Sequence, residues 1–445
     1  MKPEDSVGPA VAGTRTDQSP PLAAVVVAAH RPARRQKVSR RYIYLVTLAQ
    51  FGVFVAFITP LAISLSIRVS ILAPGHEEYL GYITGIGATT ALITGPFLGI
   101  ASDRTKSRIG RRRPYMIVGL LVGLLSLFVM ALAPSVAILG MGWVLAQLGW
   151  GQVLVNLQFS TADRLPEEQR GRVAGLAGFA TQIAPVLGVT MAGIFSGNAL
   201  LLFVVPGVLG LVLVLLFVCL VHEADTRDAE FTDHLTPTVL LKKFVFNPVQ
   251  HPDYSLVWLS RFLFYFGLTL NTTFASFFFA YKLGLSVTEV TSVIASVSIL
   301  GIVATTAGAI GGGFFSDRLK MRRVFVLLAG VFFAAGAIIM TASSELPGLI
   351  LGSLVVSVGI GMFSAVDQAL LLDVLPERDT DAGRFMSIAN FAIAIPQAVA
   401  PLVAPALLAV GMTEAGEKNY MLLYLLAGAL VLLAGLVVLR IRSVR

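Results

Sequence analysis

The stretch Gly99-Ile100-Ala101-Ser102-Asp103-Arg104-Thr105-Lys106 reappears 214 positions later as Gly313-Phe314-Phe315-Ser316-Asp317-Arg318-Leu319-Lys320, with five identities in register. Each copy follows a long apolar run. Each also leads into further arginines: Arg111, Arg112 and Arg113 after the first, Arg322 and Arg323 after the second. A repeat at this period in a chain of 445 residues marks a duplicated unit of roughly two hundred residues. A charged, glycine-led turn between apolar runs suits a tight loop on the basic side of a membrane protein.

Hydrophobic residues make up 56% of the chain and charged residues 13%, with a mean hydropathy of +0.82. Soluble domains carry roughly 25% charged residues, so the chain reads as an integral membrane protein. The net charge of +8 does not point to nucleic acid. Its basic residues are confined to short loops, and a solvated basic face would need far more polar surface around it. The single cysteine, Cys219, lies in an apolar run, which leaves no intrachain disulfide framework. Residues 1–41 hold Pro, Ser, Ala and scattered Arg around one short apolar patch, Ala23 to Ala29. They read as a disordered cytoplasmic tail rather than a signal peptide.

A spanning helix needs about 20 mostly apolar residues. Twelve windows qualify: about 43–67, 79–101, 115–133, 136–160, 173–195, 199–221, 254–281, 288–314, 324–342, 347–372, 385–410 and 420–440. The third and fourth are separated only by Ala133-Pro134-Ser135. Backbone groups in lipid must bond within their own segment, so the spans are helices and the fold is all-α. With the amino terminus inside, 29 of the 33 Lys and Arg residues fall on the cytoplasmic side. Arg68, Lys282 and Lys418 remain outside, and Arg261 lies within a span. Discounting the long tail, the bias is still 21 to 3, which places both termini in the cytoplasm. The domains are then a six-helix bundle over 42–221, a cytoplasmic linker over 222–252 and a second six-helix bundle over 253–445. Thr236-Pro237 in the linker suits the start of a short interfacial helix over Val239–Phe246, although an ordinary linker reads as well.

A second pair of loops matches at nearly the same offset. Asp163-Arg164-Leu165-Pro166-Glu167 closes the fourth span and leads to Gly171-Arg172; Asp373-Val374-Leu375-Pro376-Glu377 closes the tenth and leads to Gly383-Arg384. Ala177-Gly178-Phe179-Ala180 and Ala389-Asn390-Phe391-Ala392 follow at identical spacing, then Pro185 and Pro396. The matched features fall on the same face of both halves, so the repeats are parallel. Twelve helices in two parallel halves, each with Gly-x-x-x-Asp-Arg between its second and third helix, resemble the major facilitator superfamily over about residues 40–440. Ser102 to Tyr115, Ala162-Asp163-Arg164-Leu165-Pro166, and Asn390 to Pro396 with Gln397 and Pro401 resemble its glycoside–pentoside–hexuronide and sucrose–proton symporter branches.

Asp103 and Asp317 lie just past helix carboxyl ends, where a carboxylate opposes its own helix dipole and needs a cation or another helix amino terminus. The resemblance implies a cytoplasmic gate built from Asp103, Arg104, Arg111, Asp163, Asp317, Arg318 and Asp373. In it Asp103 would face the eleventh helix near Gly383, and Asp317 the fifth near Gly171. The alternative is that these loops only set topology.

Charges deep in spans are candidate functional groups. Arg261 lies about eight residues into the seventh span and Asp367 about six from the end of the tenth, close enough in depth to meet. The resemblance puts the first, fourth, seventh and tenth helices around a central cavity. Burial works against a charged Asp367 and a neighbouring Arg261 works for it, which suits a proton-coupling pair, with a permanent structural ion pair as the alternative. Polar stripes run along the same helices: Gln50, Phe54, Phe57, Leu61 and Ser64; Gln152, Asn156 and Ser160; Arg261, Tyr265, Leu268 and Thr272; Ser353, Ser357, Gly361, Ser364 and Gln368. Trp143, Gln147 and Trp150 form another face of the fourth. From these helices, Gln50, Phe54, Gln152, Asn156, Tyr265, Asn271, Ser364 and Gln368 are the candidate substrate-binding residues. Amides, hydroxyls and aromatic faces suit a neutral polyhydroxylated solute. Polar residues of a membrane bundle also bond helix to helix.

All five histidines (His30, His76, His222, His234 and His251) lie outside the spans, which argues against a histidine relay. The cation-site acids common in the second and fourth helices of the resembled branch are absent, so sodium coupling is not implied. No paired catalytic acids, metal-spaced His or Cys, or nucleophile elbow occur in the spans, so the chain does not read as an enzyme. The expected function is a secondary transporter that takes a small polar solute, a sugar or glycoside, with protons and no bound cofactor or metal. A monomer in a bacterial inner membrane is expected, its partners being solute, protons and lipid bilayer. The alternatives are a drug or metabolite exporter, for which Ala184-Pro185 and Gly188 give a degraded antiporter pattern, and a non-transporting sensor or scaffold.

Overall fold

The computed structural model describes residues 37–228, 246–377, 381–411 and 418–442. All of the expected interfacial helix at Val239–Phe246 except Phe246, and most of the amino-terminal tail, lie outside these residues. Eleven helices are long and apolar enough to span a membrane, and a bent pair makes the twelfth. They are α1 (Arg40–Leu72), α2 (Glu78–Asp103), α3 (Arg113–Ala131), α4 (Val136–Arg164), α5 (Glu167–Ile194) and α6 (Ala199–Leu220) in one half. The other half holds α7 (Pro252–Thr273 and Ala275–Leu283), α8 (Val290–Leu319), α9 (Arg322–Ala342), α10 (Leu346–Asp373), α11 (Ala382–Ala409) and α12 (Tyr420–Val438). Strands are absent among the described residues.

Short polar residues start these helices by satisfying their free amides. Ser39 Oγ accepts from Tyr42 N, and Asn198 Oδ1 accepts from Leu200 N and Leu201 N at 2.9 and 3.2 Å. Ser135 caps α4, so the three-residue separation between the third and fourth spans is a real turn. Before α8, Ser286 and Glu289 exchange bonds in a capping box: Glu289 Oε2 accepts from the Ser286 amide and hydroxyl at 2.8 Å. Those bonds hold the exposed Glu289 carboxyl below its ordinary range.

Two helices are irregular at corresponding places in the halves. Pro60 has no amide hydrogen and crowds the preceding turn, and α1 widens there into a π-turn over Pro60–Ser64, closed by Leu65 N onto Pro60 O. In α7 the axis bends by 49° between Thr273 and Ala275. The two irregular segments touch: Ser276 Oγ donates to Ala62 O at 3.2 Å.

Within each half, glycines let backbones approach. A Cβ on Gly149 of α4 would run into the backbone of Gly123 of α3, and Trp150 Nε1 beside it donates to Gly123 O at 3.0 Å. Gly336 of α9 and Gly352 of α10 make the equivalent close approach in the second half.

The halves meet on the face opposite the basic loops, where α2 crosses α11 and α5 crosses α8. Gly81 abuts Pro401 and Pro405, Gly85 abuts Leu402 and Ala398, and Gly193 abuts Thr291. On the basic-loop face, Gly171, Gly175 and Gly178 of α5 and Gly383 of α11 have open space where a side chain would stand. The space between the halves therefore opens toward the basic loops.

Candidate functional site

The deepest charged groups come together. Arg261 of α7 and Asp367 of α10 are each 4% exposed, with Nε and Oδ2 3.1 Å apart. The contact satisfies ion-pair distance but not hydrogen-bond angle, and Nε and Nη1 of Arg261 have no hydrogen-bond partner. Such a pair has unused donors and sits away from the geometry of a saturated structural bridge. The pair's neighbours are aromatic: Phe264 of α7 stacks on Phe363 of α10 with ring centroids 3.5 Å apart, and Tyr265 meets Phe363 edge-on at 6.2 Å.

The candidate substrate residues divide into three groups. Gln50, Gln152 and Asn271 are buried, and Gln50 Oε1, Gln152 Oε1 and Asn271 Nδ2 make no hydrogen bond among the described residues. Buried polar atoms are normally bonded, so these amides hold spare capacity for a polar ligand. Phe54 and Tyr265 are half-buried, and Ser364 and Gln368 are exposed toward the basic-loop end of α10. Asn156 belongs elsewhere. It is fully buried, its Oδ1 accepts from Ser102 Oγ at 2.6 Å, and its Nδ2 donates to Gln152 O. Asn156 thus ties α4 to α2 beneath the basic loop, because a buried amide takes whatever partner the adjacent helix supplies.

The outer part of the α10 stripe is also packing. Ser353 bonds Leu349 O and lies 3.6 Å from Met340 Sδ of α9, while Gly361 is pressed on the Thr305 carbonyl of α8. Of the aromatic face of α4, Trp143 stacks on Phe57 of α1 at 5.5 Å and 9°, bridging the two helices.

The basic loops form a network in each half. Arg112, 4% exposed, pairs with both Asp103 and Asp163 and donates to Ser102 Oγ at 2.9 Å. Its guanidinium also lies 4.7 Å from the Phe159 ring centroid. Arg111 adds a bond to Asp163 at 2.8 Å from a much more exposed position. In the other half Arg322 pairs with Asp317 and Asp373, and Arg318 is exposed. Arg104 has polar or electrostatic company of its own. Asp103 and Asp317 therefore bond within their own halves, and the partner helices expected near Gly383 and Gly171 stand away from them.

The gate expected from the sequence includes Arg104 and Arg111 but not Arg112. The repeat carried the missing signal: Arg112 to Arg322 and Asp163 to Asp373 share an offset of 210 residues. Arg112→Ala would take the partner from Asp103, leave Asp163 with Arg111 alone and free the buried Ser102 hydroxyl, and is expected to lower stability by about 1.5–3 kcal/mol. Arg111→Ala, which removes an exposed pair, should cost under about 1 kcal/mol. Thermal melts of the two purified variants check the contrast; equal shifts would contradict it.

A further inter-half site, not anticipated from the sequence, lies on the opposite face. Lys418, in the segment before α12, donates to Gly75 O at 2.8 Å and pairs with Glu77 and Glu78 at the start of α2. Its side chain is only 8% exposed. His76 Nδ1 lies 2.7 Å from the same Glu78 carboxylate. A cavity of about 1020 Å³ is also near this end, walled by apolar side chains of α1, α2 and α4 such as Leu72, Ile83 and Met141. None of the candidate substrate residues lines it. Among the described residues no three His, Cys, Asp or Glu side chains gather as a metal site.

A family model described as Major Facilitator Superfamily matches residues 42–311 and 257–445. The general alpha-glucoside permease of Schizosaccharomyces pombe is 34% identical over 118 residues, 25% of this chain and 20% of that protein. This chain thus matches about a fifth of that relative's length. Multidrug resistance protein 2 of Bacillus subtilis is 23% identical over 316 residues, 70% of this chain and 75% of that protein. Among solved structures, a D-xylose–proton symporter superposes with a TM-score of 0.67 at 14% identity, over 92% of this chain and 98% of that one.

Proposed function

We propose that this chain, which belongs to the Major Facilitator Superfamily and is a membrane transporter rather than an enzyme, moves a neutral sugar or glycoside with protons by alternating access. The observation that carries the reading is the buried Arg261–Asp367 pair, whose donors are only partly used. A carboxylate whose cation can turn away is able to take and release a proton, and both groups sit in one half, so a small local change can part them. The spare amides of Gln50, Gln152 and Asn271, with the aromatic rings of Phe54 and Tyr265, offer donors, acceptors and flat apolar faces to a sugar ring. Similarity to an alpha-glucoside permease and to the fold of a D-xylose–proton symporter supports the same solute class and coupling.

The charge bias of the loops supports an orientation with the basic face and both termini in the cytoplasm, as in a multi-pass protein of a bacterial inner membrane. In that orientation the open space at the basic-loop face is the inward-open state, and the Lys418 contacts close the outside. Asp103 and Asp317 would latch the halves when the inside closes. No bound cofactor or metal enters the cycle, and a single copy of the chain suffices; the proton gradient is the energy source.

The longer match to Multidrug resistance protein 2 favours a second reading, proton-driven export of an amphiphile. Proteoliposomes under an imposed pH gradient separate the two. Sugar accumulation that follows the gradient and collapses with a protonophore is expected. Gradient-driven movement of cationic dyes, with no sugar uptake across a broad panel, would establish the exporter instead.

A further inference from the structure

At the basic-loop end of the first half, a cavity of about 660 Å³ opens between the start of α1, the end of α4 and the end of α6. Its mouth carries Arg41, Arg164 and His222, and its inner wall is formed by Leu45, Leu220 and Val221. Among the described residues no carboxylate lines it. Glu223, next in the chain to His222, points the other way, its Oε2 accepting from the amides of Arg112 and Arg113 at 3.1 and 3.3 Å.

The two guanidiniums are differently placed. Arg164 is held: Nη2 donates to His222 O at 2.7 Å, and its Cζ lies 5.6 Å from the Tyr42 ring centroid. A guanidinium has five N–H donors, so this anchoring leaves several for a ligand. Arg41 is exposed and forms no ion pair among the described residues. Two cations at the entrance of a partly apolar recess, with no carboxylate among the described lining residues, match a phosphodiester with a hydrocarbon tail. Arg41 stands at the first turn of a membrane helix and Leu45 one turn deeper, which is the depth at which headgroup gives way to acyl chain.

We propose that this cavity binds one anionic phospholipid, its phosphate between Arg41 and Arg164 and one acyl chain along Leu45 and Leu220. The site is separate from the space between the halves, and the inference stands whichever solute is moved. Basic recesses between helices on the cytoplasmic side commonly recognise such headgroups. The apolar wall selects a lipid over a free phosphate, because a soluble anion gains nothing from Leu45 and Leu220.

Native mass spectrometry of the full chain, with phosphatidylglycerol or phosphatidylcholine added, tests this. One phosphatidylglycerol should persist at collision energies that strip phosphatidylcholine. Arg41→Gln should lower its retention by about fivefold and Arg41→Gln/Arg164→Gln by more. Arg227→Gln, outside the cavity, should leave it unchanged. Arg41→Gln removes no side-chain hydrogen bond or ion pair among the described residues, so it reports on binding even if the double variant loosens α4. Equal retention of both lipids, or unaltered phosphatidylglycerol retention in Arg41→Gln, overturns the proposal. Displacement of the lipid by inorganic phosphate, with the same dependence on Arg41, overturns the lipid and makes this a soluble-anion site.

Discussion

Asp367→Asn is expected to abolish proton-driven accumulation of solute while the protein still reaches the membrane and still exchanges solute down its gradient. Asparagine keeps the shape of the side chain but carries no proton, so the coupling step loses its carrier. The same change leaves the Arg261 charge buried without a counter-ion, and the loss of one member of a buried pair costs about 3–5 kcal/mol. That is a large share of the stability of a typical domain, so lower yield could by itself mimic lost transport. The double variant Arg261→Leu/Asp367→Asn separates the effects. With both charges gone, thermal stability should return most of the way to that of the parent, because no isolated charge remains, while accumulation stays absent. Melting curves, counterflow exchange and gradient-driven uptake in the same proteoliposomes give the three readouts. Accumulation by Asp367→Asn at parental protein levels would remove this pair from the coupling scheme.

Lys418→Gln is expected to shift the protein away from the state seen here. Lys418 is nearly buried and donates to a carbonyl and two carboxylates that come from the other half, 340 or more residues away. Hydrogen bonds to charged groups contribute about 1.5–3 kcal/mol, and this cluster exists only while the halves are closed on that face. Its loss should therefore favour the opposite state by about 10- to 100-fold. A cysteine at Gly171, placed in a Cys219→Ser background, reads the change. Gly171 has open space beside it in this structure and would be covered if the basic-loop face closed. Slower alkylation of that cysteine in Lys418→Gln is the expected result. Unchanged alkylation with normal folding would show that the cluster does not hold the equilibrium.

Most of the fold could be read from the sequence. The apolar windows, the three-residue turn at Ala133-Pro134-Ser135 and the duplicated loops each follow from local rules: a helix must satisfy its own backbone in lipid, and a tight charged loop must lie in water. The irregularities were less accessible. Pro60 signals trouble in α1, yet Pro96 and Pro185 sit inside uninterrupted α-helical segments, so a proline alone does not foretell a π-turn. The bend of α7 after Thr273 has neither proline nor glycine to announce it.

The candidate site was legible in parts. Arg261 and Asp367 stand out because charge within an apolar run is costly, and equal depth on neighbouring helices lets them meet. Asn156 looked the same as Gln152 in a helical stripe, but one faces Ser102 of α2 and the other keeps a free amide oxygen. Periodicity gives a residue's direction on its own helix, not the neighbour that fills that direction.

By itself the sequence determined the class of the protein, the number of spans, the doubling of the unit and the pairs of positions related by it. These depend on the free energy of single segments against lipid and water, which composition and spacing record. The tertiary structure alone decided which loops bond within a half and which bond across it. Arg112 became the buried centre of its network because α3 starts beside the ends of α2 and α4. Lys418 became an inter-half tie because α2 and α11 cross on that face, bringing together groups that no local pattern relates.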